Sequence, residues 1–129
     1  MPCARPSKSA TERWAPDGRA VTFRNRANAA WNVYRCPFDG GPPTAVTRFT
    51  QGRVTDHLWS PDGRKLAVRV DDGDASNLWI VEADGSRPVQ ATQFASESVF
   101  DYAWMADSRR LVVCAGTRTS DAVLIRDFR

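Results

Sequence analysis

The sequence is poor in the side chains that carry most enzyme and metal chemistry. Among 129 residues it has one histidine, His57, and three cysteines, Cys3, Cys36 and Cys114. The cysteines stand too far apart for a paired C-x-x-C zinc or redox motif. A single histidine with no second ligand or nucleophile beside it is a weak basis for acid–base catalysis, and no G-x-S-x-G nucleophile elbow occurs. No apolar run approaches the ~20 residues of a membrane-spanning helix. Met1 to Lys8 contain no apolar core and so do not read as a signal peptide. The compartment stays unknown on this reading, with the cytoplasm as the default. An odd cysteine count argues against a disulfide framework and predicts that Cys36 and Cys114, both in strand-like stretches, are reduced and apolar in behaviour. Lysine is scarce as well: 16 of the 18 basic residues are Arg, and the net charge is +3. These charges are scattered along the chain, which gives no nucleic-acid-binding face.

What the sequence does have is a repeat. Trp59-Ser60-Pro61-Asp62-Gly63-Arg64 returns as Trp14-Ala15-Pro16-Asp17-Gly18-Arg19 and as Trp104-Met105-Ala106-Asp107-Ser108-Arg109, and 59 − 14 and 104 − 59 both equal 45. A fixed period of that length signals a repeat architecture. Pro pre-sets φ at the second turn position, Asp tolerates the third and Gly takes the fourth, so the stretch predicts a tight turn closing a hairpin. After it, Leu66, Val68 and Val70 alternate with Lys65, Ala67 and Arg69 at the two-residue period of a strand; before it, Val54 to Trp59 alternates only loosely. In the first copy the equivalents of Val54 and Leu58 are Ser9 and Arg13, and Pro2 and Pro6 cannot donate to a ladder, so that strand is degenerate and residues 1–10 are expected to be disordered. A third strand is predicted at Asn32–Cys36, Asn77–Val81 and Ala122–Arg126, preceded in the first copy by a loop over residues 25–30. Asp39-Gly40 and Asp84-Gly85 mark a second turn, followed by a short fourth strand over Ala45–Phe49 and Val89–Phe94.

Each unit is then a four-stranded antiparallel meander. One such sheet cannot bury two apolar faces alone, and radial stacking of copies makes a β-propeller. The expectation is an all-β partial β-propeller, a single segment over residues 1–129 with three blades at about 8–50, 53–95 and 98–129. The last blade stops at the equivalent of Asp84 and lacks its fourth strand. Trp-Ser-Pro-Asp-Gly with a short apolar strand, then Asn-Leu-Trp-Ile-Val and Asp-Gly, resembles the WD-like propeller repeat of TolB-type proteins, from about Trp14 to Arg129. The third copy resembles the last blade of propellers that end bacterial signalling proteins, including some Ser/Thr kinases; no kinase motif is present here. The lack of a signal peptide departs from TolB itself, which is exported. The resemblance implies a scaffold that binds a protein or peptide at the mouth of a central channel, without catalysis and without a cofactor. Prolyl-oligopeptidase-like enzymes also carry propellers, but 129 residues leave no room for their hydrolase domain.

Candidate site residues follow from the repeat. Asp56 and Asp101 recur three residues before the tryptophan, and His57 aligns with Glu12 and Tyr102. One reading has each Asp capping backbone groups or bonding the neighbouring blade. The other has Asp56, His57, Asp101 and Tyr102 lining the channel and touching a partner. Asp72, Asp74 and Ser76 have the spacing of a calcium loop, but Asn77 stands where that loop needs Gly and Ala83 where it needs Glu, so no metal site is read there. Trp14, Trp59 and Trp104 read as inter-blade packing. Three blades are fewer than the usual minimum of four and leave two open faces. That suggests a homodimer forming a six-bladed ring, or a regulatory propeller fragment of a larger bacterial enzyme such as a Ser/Thr kinase or peptidase.

Overall fold

The computed structural model describes residues 12–117 and the strand Asp121–Asp127, and all regular structure among the described residues is β. The first unit comprises β1 (Arg13–Trp14), β2 (Ala20–Ala27), β3 (Ala30–Pro37) and β4 (Thr44–Ala45). The second comprises β5 (Arg53–Trp59), β6 (Lys65–Asp71), β7 (Ser76–Glu82) and β8 (Val89–Gln90), and the third β9 (Ser98–Trp104), β10 (Arg110–Gly116) and β11 (Asp121–Asp127). Within each unit consecutive strands pair antiparallel, and a single parallel bridge at Trp31 and Arg53 joins the first two units into one sheet. The third unit is a separate sheet in the order β11-β10-β9. The fold is an all-β partial propeller. The expected disorder of residues 1–10, and the strand predicted there, lie outside the described residues.

The repeated turn closes as its sequence requires. Gly63 N donates to Ser60 O at 2.9 Å, Ser60 N to Lys65 O at 2.9 Å, and the same first bond forms at Gly18 and at Ser108. The aspartate side chain of each turn accepts the N–H two residues on, from Arg19, Arg64 and Arg109. Those bonds hold the carboxyls of Asp17, Asp62 and Asp107 below the usual carboxylate range, Asp107 at about 2 with the added pull of Arg110. Gly63 is needed twice over. It sits at φ +73°, and a Cβ there would lie 2.5 Å from the Cβ of Pro16 in the preceding unit's turn.

Three local expectations are corrected and a fourth is explained. The predicted loop over 25–30 is mostly strand, because Asn28 and Ala29 both take positive φ (52° and 64°) and close β2 onto β3 as a two-residue hairpin. The fourth strands are only two residues long and end before Val46 and Ala91, because the chain there turns inward to be held by an asparagine. The loose alternation of β5 has a cause, a bulge between Val54 and Asp56 opposite β6, and β9 carries its counterpart opposite Cys114 and Ala115. Cys36 is disulfide-bonded, against the expectation of a reduced thiol, while Cys114 is free. An odd count permits one bond and one spare thiol.

The asparagine is the third strand's second or third residue, and it works identically in two units. Asn77 Oδ1 accepts from Thr92 Oγ1 at 2.7 Å and from Phe94 N at 2.7 Å, and its Nδ2 donates to Phe94 O at 3.0 Å. Thr92 Oγ1 in turn accepts from Leu78 N. Asn32, Thr47, Phe49 and Val33 repeat the set. Both asparagines and both threonines are buried. This clasp ties the segment after the short fourth strand back to the third strand.

The apolar core lies between the units. Val33 and Val46 of the first unit pack with Val54, Leu66, Val68 and Val81 of the second. Leu78, Ile80 and Ala67 of the second pack with Tyr102, Leu111 and Val113 of the third. Register sets which side chains meet: Leu58, Ala67 and Ile80 form a row on the face toward the third unit, its trailing face, and Trp59, Leu66 and Val81 a row on the face toward the first, its leading face.

Asn77→Ala removes three hydrogen bonds, one to buried Thr92 and two to half-buried Phe94, each worth roughly 1 kcal/mol. Urea unfolding followed by tryptophan fluorescence should show a loss of about 3 kcal/mol, and an exposed-turn control such as Arg87→Ala should show almost none.

Candidate functional site

The first strands of the three units, β1, β5 and β9, converge on one point. Tyr102 on β9 donates its hydroxyl to Asp56 Oδ2 on β5 at 2.9 Å, and Arg13 Nη2 on β1 stands 3.5 Å from Asp56 Oδ1. One residue from each unit therefore meets at a single carboxylate, on the edge where a propeller's inner strands approach its axis. Burial raises the Tyr102 phenol well above its usual value, and the charge and hydrogen bond of Asp56 push it further, so the hydroxyl remains a donor at neutral pH.

The four residues singled out from sequence are divided by the structure. Asp56 and Tyr102 are brought together. Asp101 is exposed beside them, and its Oδ1 accepts the neighbouring N–H of Tyr102 at 2.9 Å. His57 is fully buried on the opposite face of β5, between the first and second units, where it does not line an open channel. Its Nε2 lies 2.8 Å from Thr22 Oγ1, which also accepts from Trp59 Nε1 at 3.0 Å. With the threonine hydroxyl directed at Arg13 O, 3.4 Å away, both ring N–H groups can donate to Thr22. That arrangement leaves only the lone pair of His57 Nδ1, which is buried without a partner. It costs less than an unpaired N–H would. Burial lowers the His57 pKa to about 4, Arg13 adding to the shift and Asp56 opposing it, so the imidazole is neutral in the folded protein.

Sequence reasoning missed Arg13 and Thr22. The signal was present, since these positions are Leu58 and Ala67 in the second copy and Ala103 and Val112 in the third. Register places Arg13 opposite Thr22 and Thr22 opposite Arg35, which gives the first unit a polar trailing row where the second has Leu58, Ala67 and Ile80. The two junctions differ accordingly. Trp104 Nε1 donates directly to Leu58 O at 2.9 Å, while Trp59 reaches the equivalent carbonyl, that of Arg13, through the hydroxyl of Thr22. An open cleft of about 250 Å³ lies at the turn end of the polar junction, lined by Pro16, Val46, Trp59 and Ala83, with Arg35 bonded to Asp17 at 3.0 Å. No group of three or more metal-ligating side chains occurs among the described residues. The Asp72 carboxylate is engaged by the N–H groups of Asp74 and Ala75.

This geometry defines a class: stacked antiparallel sheets of three and four strands, inner strands converging, and tryptophans between blades, a partial propeller among the described residues. Comparison with known proteins gives the kind of propeller. The chain is similar to a TolB from Agrobacterium tumefaciens, with 21% identity and a TM-score of 0.70, covering 94% of this chain and 47% of that one. It is similar to TolB from Acinetobacter baumannii, with 20% identity and a TM-score of 0.69, covering 90% of this chain and 29% of that one. A puromycin hydrolase matches at 19% identity and a TM-score of 0.65, with 90% of this chain and 20% of that one covered. At these identities the likeness is one of fold, and the chain spans less than half of each of these structures. No family model and no curated protein matches the sequence. The chain has a TolB-like β-propeller fold.

Two outcomes follow from the site. The unfolded chain takes up a proton near the 6.5 of an exposed histidine, and the folded one only near pH 4, so stability falls as pH drops between those values, by ~3 kcal/mol in all. Melting temperature against pH should show this loss, and His57→Asn should flatten it across that window. Tyr102→Phe leaves Asp56 without its phenol and should cost about 1–2 kcal/mol in urea unfolding at pH 7.

Proposed function

We propose that the chain is a non-catalytic propeller module that binds a protein or peptide at the edge where its first strands meet. The observation that carries this reading is the convergence of Arg13, Asp56 and Tyr102, one residue from each unit, with Asp101 exposed next to them. A partner seated there is read by every blade at once. Most of the polar groups are already fixed by one another, so binding them costs little further ordering. The fold likeness to TolB supports the reading without identifying a partner. A second reading, as a regulatory propeller segment of a larger bacterial enzyme such as a kinase or peptidase, is favoured by the likeness to a puromycin hydrolase and to prolyl endopeptidases, of which the match covers about a fifth.

Selection of peptides from a random display library on the purified chain tests the first reading. Enriched peptides should lose at least fivefold in affinity for Asp101→Ala and should keep their affinity for Asp74→Ala, an exposed carboxylate far along the chain. Hydrolysis or group transfer that depends on Asp56, His57, Asp101 or Tyr102 would overturn it.

A further inference from the structure

The cleft of about 250 Å³ at the turn end of the first junction is bordered by residues at which the repeats differ. At the second junction Ile80, 5% exposed, holds the position of Arg35, and Ser108, 4% exposed, holds that of Gly63. Ser108 Oγ accepts from Asp62 N at 2.9 Å, which ties the two turns together there. At the first junction neither of these side chains is present. Arg35 extends instead to the rim, where its Nη2 donates to Asp17 Oδ2 at 3.0 Å, and Gly63 lies bare against Pro16. The walls are apolar: Ala15 and Val46 are buried, Trp59 is half-buried, and Pro16 and Ala83 stand exposed at the opening. The volume falls below the ~300–1,000 Å³ of pockets that enclose small-molecule ligands, and it suits one apolar side chain. The bond to Asp17 is the only side-chain hydrogen bond of Arg35 among the described residues, and a guanidinium has further N–H groups to give.

We propose that this cleft binds the carboxyl-terminal residue of a partner protein, its apolar side chain against Trp59 and Val46 and its terminal carboxylate on Arg35. A terminal residue carries both groups on one Cα, so a cleft with room for one side chain and a guanidinium in its wall meets both at once. An indole face and small aliphatic neighbours favour an aromatic side chain there. Asp17 opposes a second carboxylate, but its own charge is already engaged by Arg35 and by the N–H of Arg19. The turns on either side carry Arg19 and Arg64 beside Asp17 and Asp62, so Arg35 leaves one positive charge in excess. Asp84, beyond Ala83, is bonded by Ser86 within its own turn. The cleft shares no lining residue with the edge where Arg13, Asp56 and Tyr102 meet, so this is a second site and does not depend on the first.

Nuclear magnetic resonance titration of the labelled chain with acetyl-Gly-Gly-Phe tests the assignment, with acetyl-Gly-Gly-Phe-amide, acetyl-Gly-Asp-Phe-amide and acetyl-Gly-Gly-Gly as comparison probes. The free acid ending in Phe should shift the Trp59 indole N–H and the amides of Ala15 and Ala83 in a saturable way. The Phe amide and the all-Gly acid should bind at least fivefold more weakly. Arg35→Ile, which installs the second junction's residue, and Ala83→Phe, which fills the exposed opening, should each weaken the free acid at least tenfold and keep the wild-type circular dichroism. Arg35→Gln replaces the first of these if it does not fold. A free acid that produces no saturable shift at these groups overturns the proposal, and so does binding that survives both substitutions. An amide that binds as tightly as the acid removes the carboxylate from the site. Tighter binding of the Asp-Phe amide assigns the cleft to an internal acidic segment and overturns the choice of a chain terminus.

Discussion

A twisted sheet with apolar side chains on both faces is stable only between two others, and the rest of this structure answers that constraint. Neither of the two apolar clusters belongs to a single unit; each is assembled from the trailing face of one and the leading face of the next. The tryptophan that ends the second and third inner strands is the fixed part of the joint, because its indole covers apolar neighbours while its N–H finds an acceptor in the preceding unit. The glycine of the turn is set by the same joint, since a side chain at Gly63 would strike Pro16 of the preceding turn, and one at Gly85 would strike the carbonyl of Val46.

The two internal junctions show how far such a joint can vary and still close. The second is largely apolar, with Leu58, Ala67 and Ile80 against Leu111 and Val113. The first accommodates Arg13, Thr22 and Arg35 on one side and a buried His57 on the other, and leaves one ring nitrogen of that histidine unpartnered. Asp56 lies across both. It receives the Tyr102 hydroxyl from the third unit and lies near the Arg13 guanidinium of the first, so the polar first junction is tied to the apolar second one.

The repeat and the strand pairing were legible in the sequence because turn chemistry and two-residue alternation are local signals. The clasp was half legible. Asn32 and Asn77 aligned by position, but their bonds to Thr47 and Thr92 cross 15 residues and depend on how the fourth strand leaves the sheet. His57 was misplaced because a bulge between Val54 and Asp56 changes which face the following residues take, and alternation cannot register an inserted residue. Arg13 looked like wear in a degenerate strand. Its meaning appears only with Thr22 opposite it and Asp56 in the next unit, a relation that spans more than forty residues.

The clasp and the tryptophan differ in what they ask of their surroundings. The clasp is written wholly inside one repeat, so a copied repeat carries it along intact. Trp104 asks its neighbour only for a main-chain carbonyl, which any residue supplies. Units built on these two devices ask little of the side chains next door beyond the close approach at their turns, where Gly63 and Gly85 meet Pro16 and Val46.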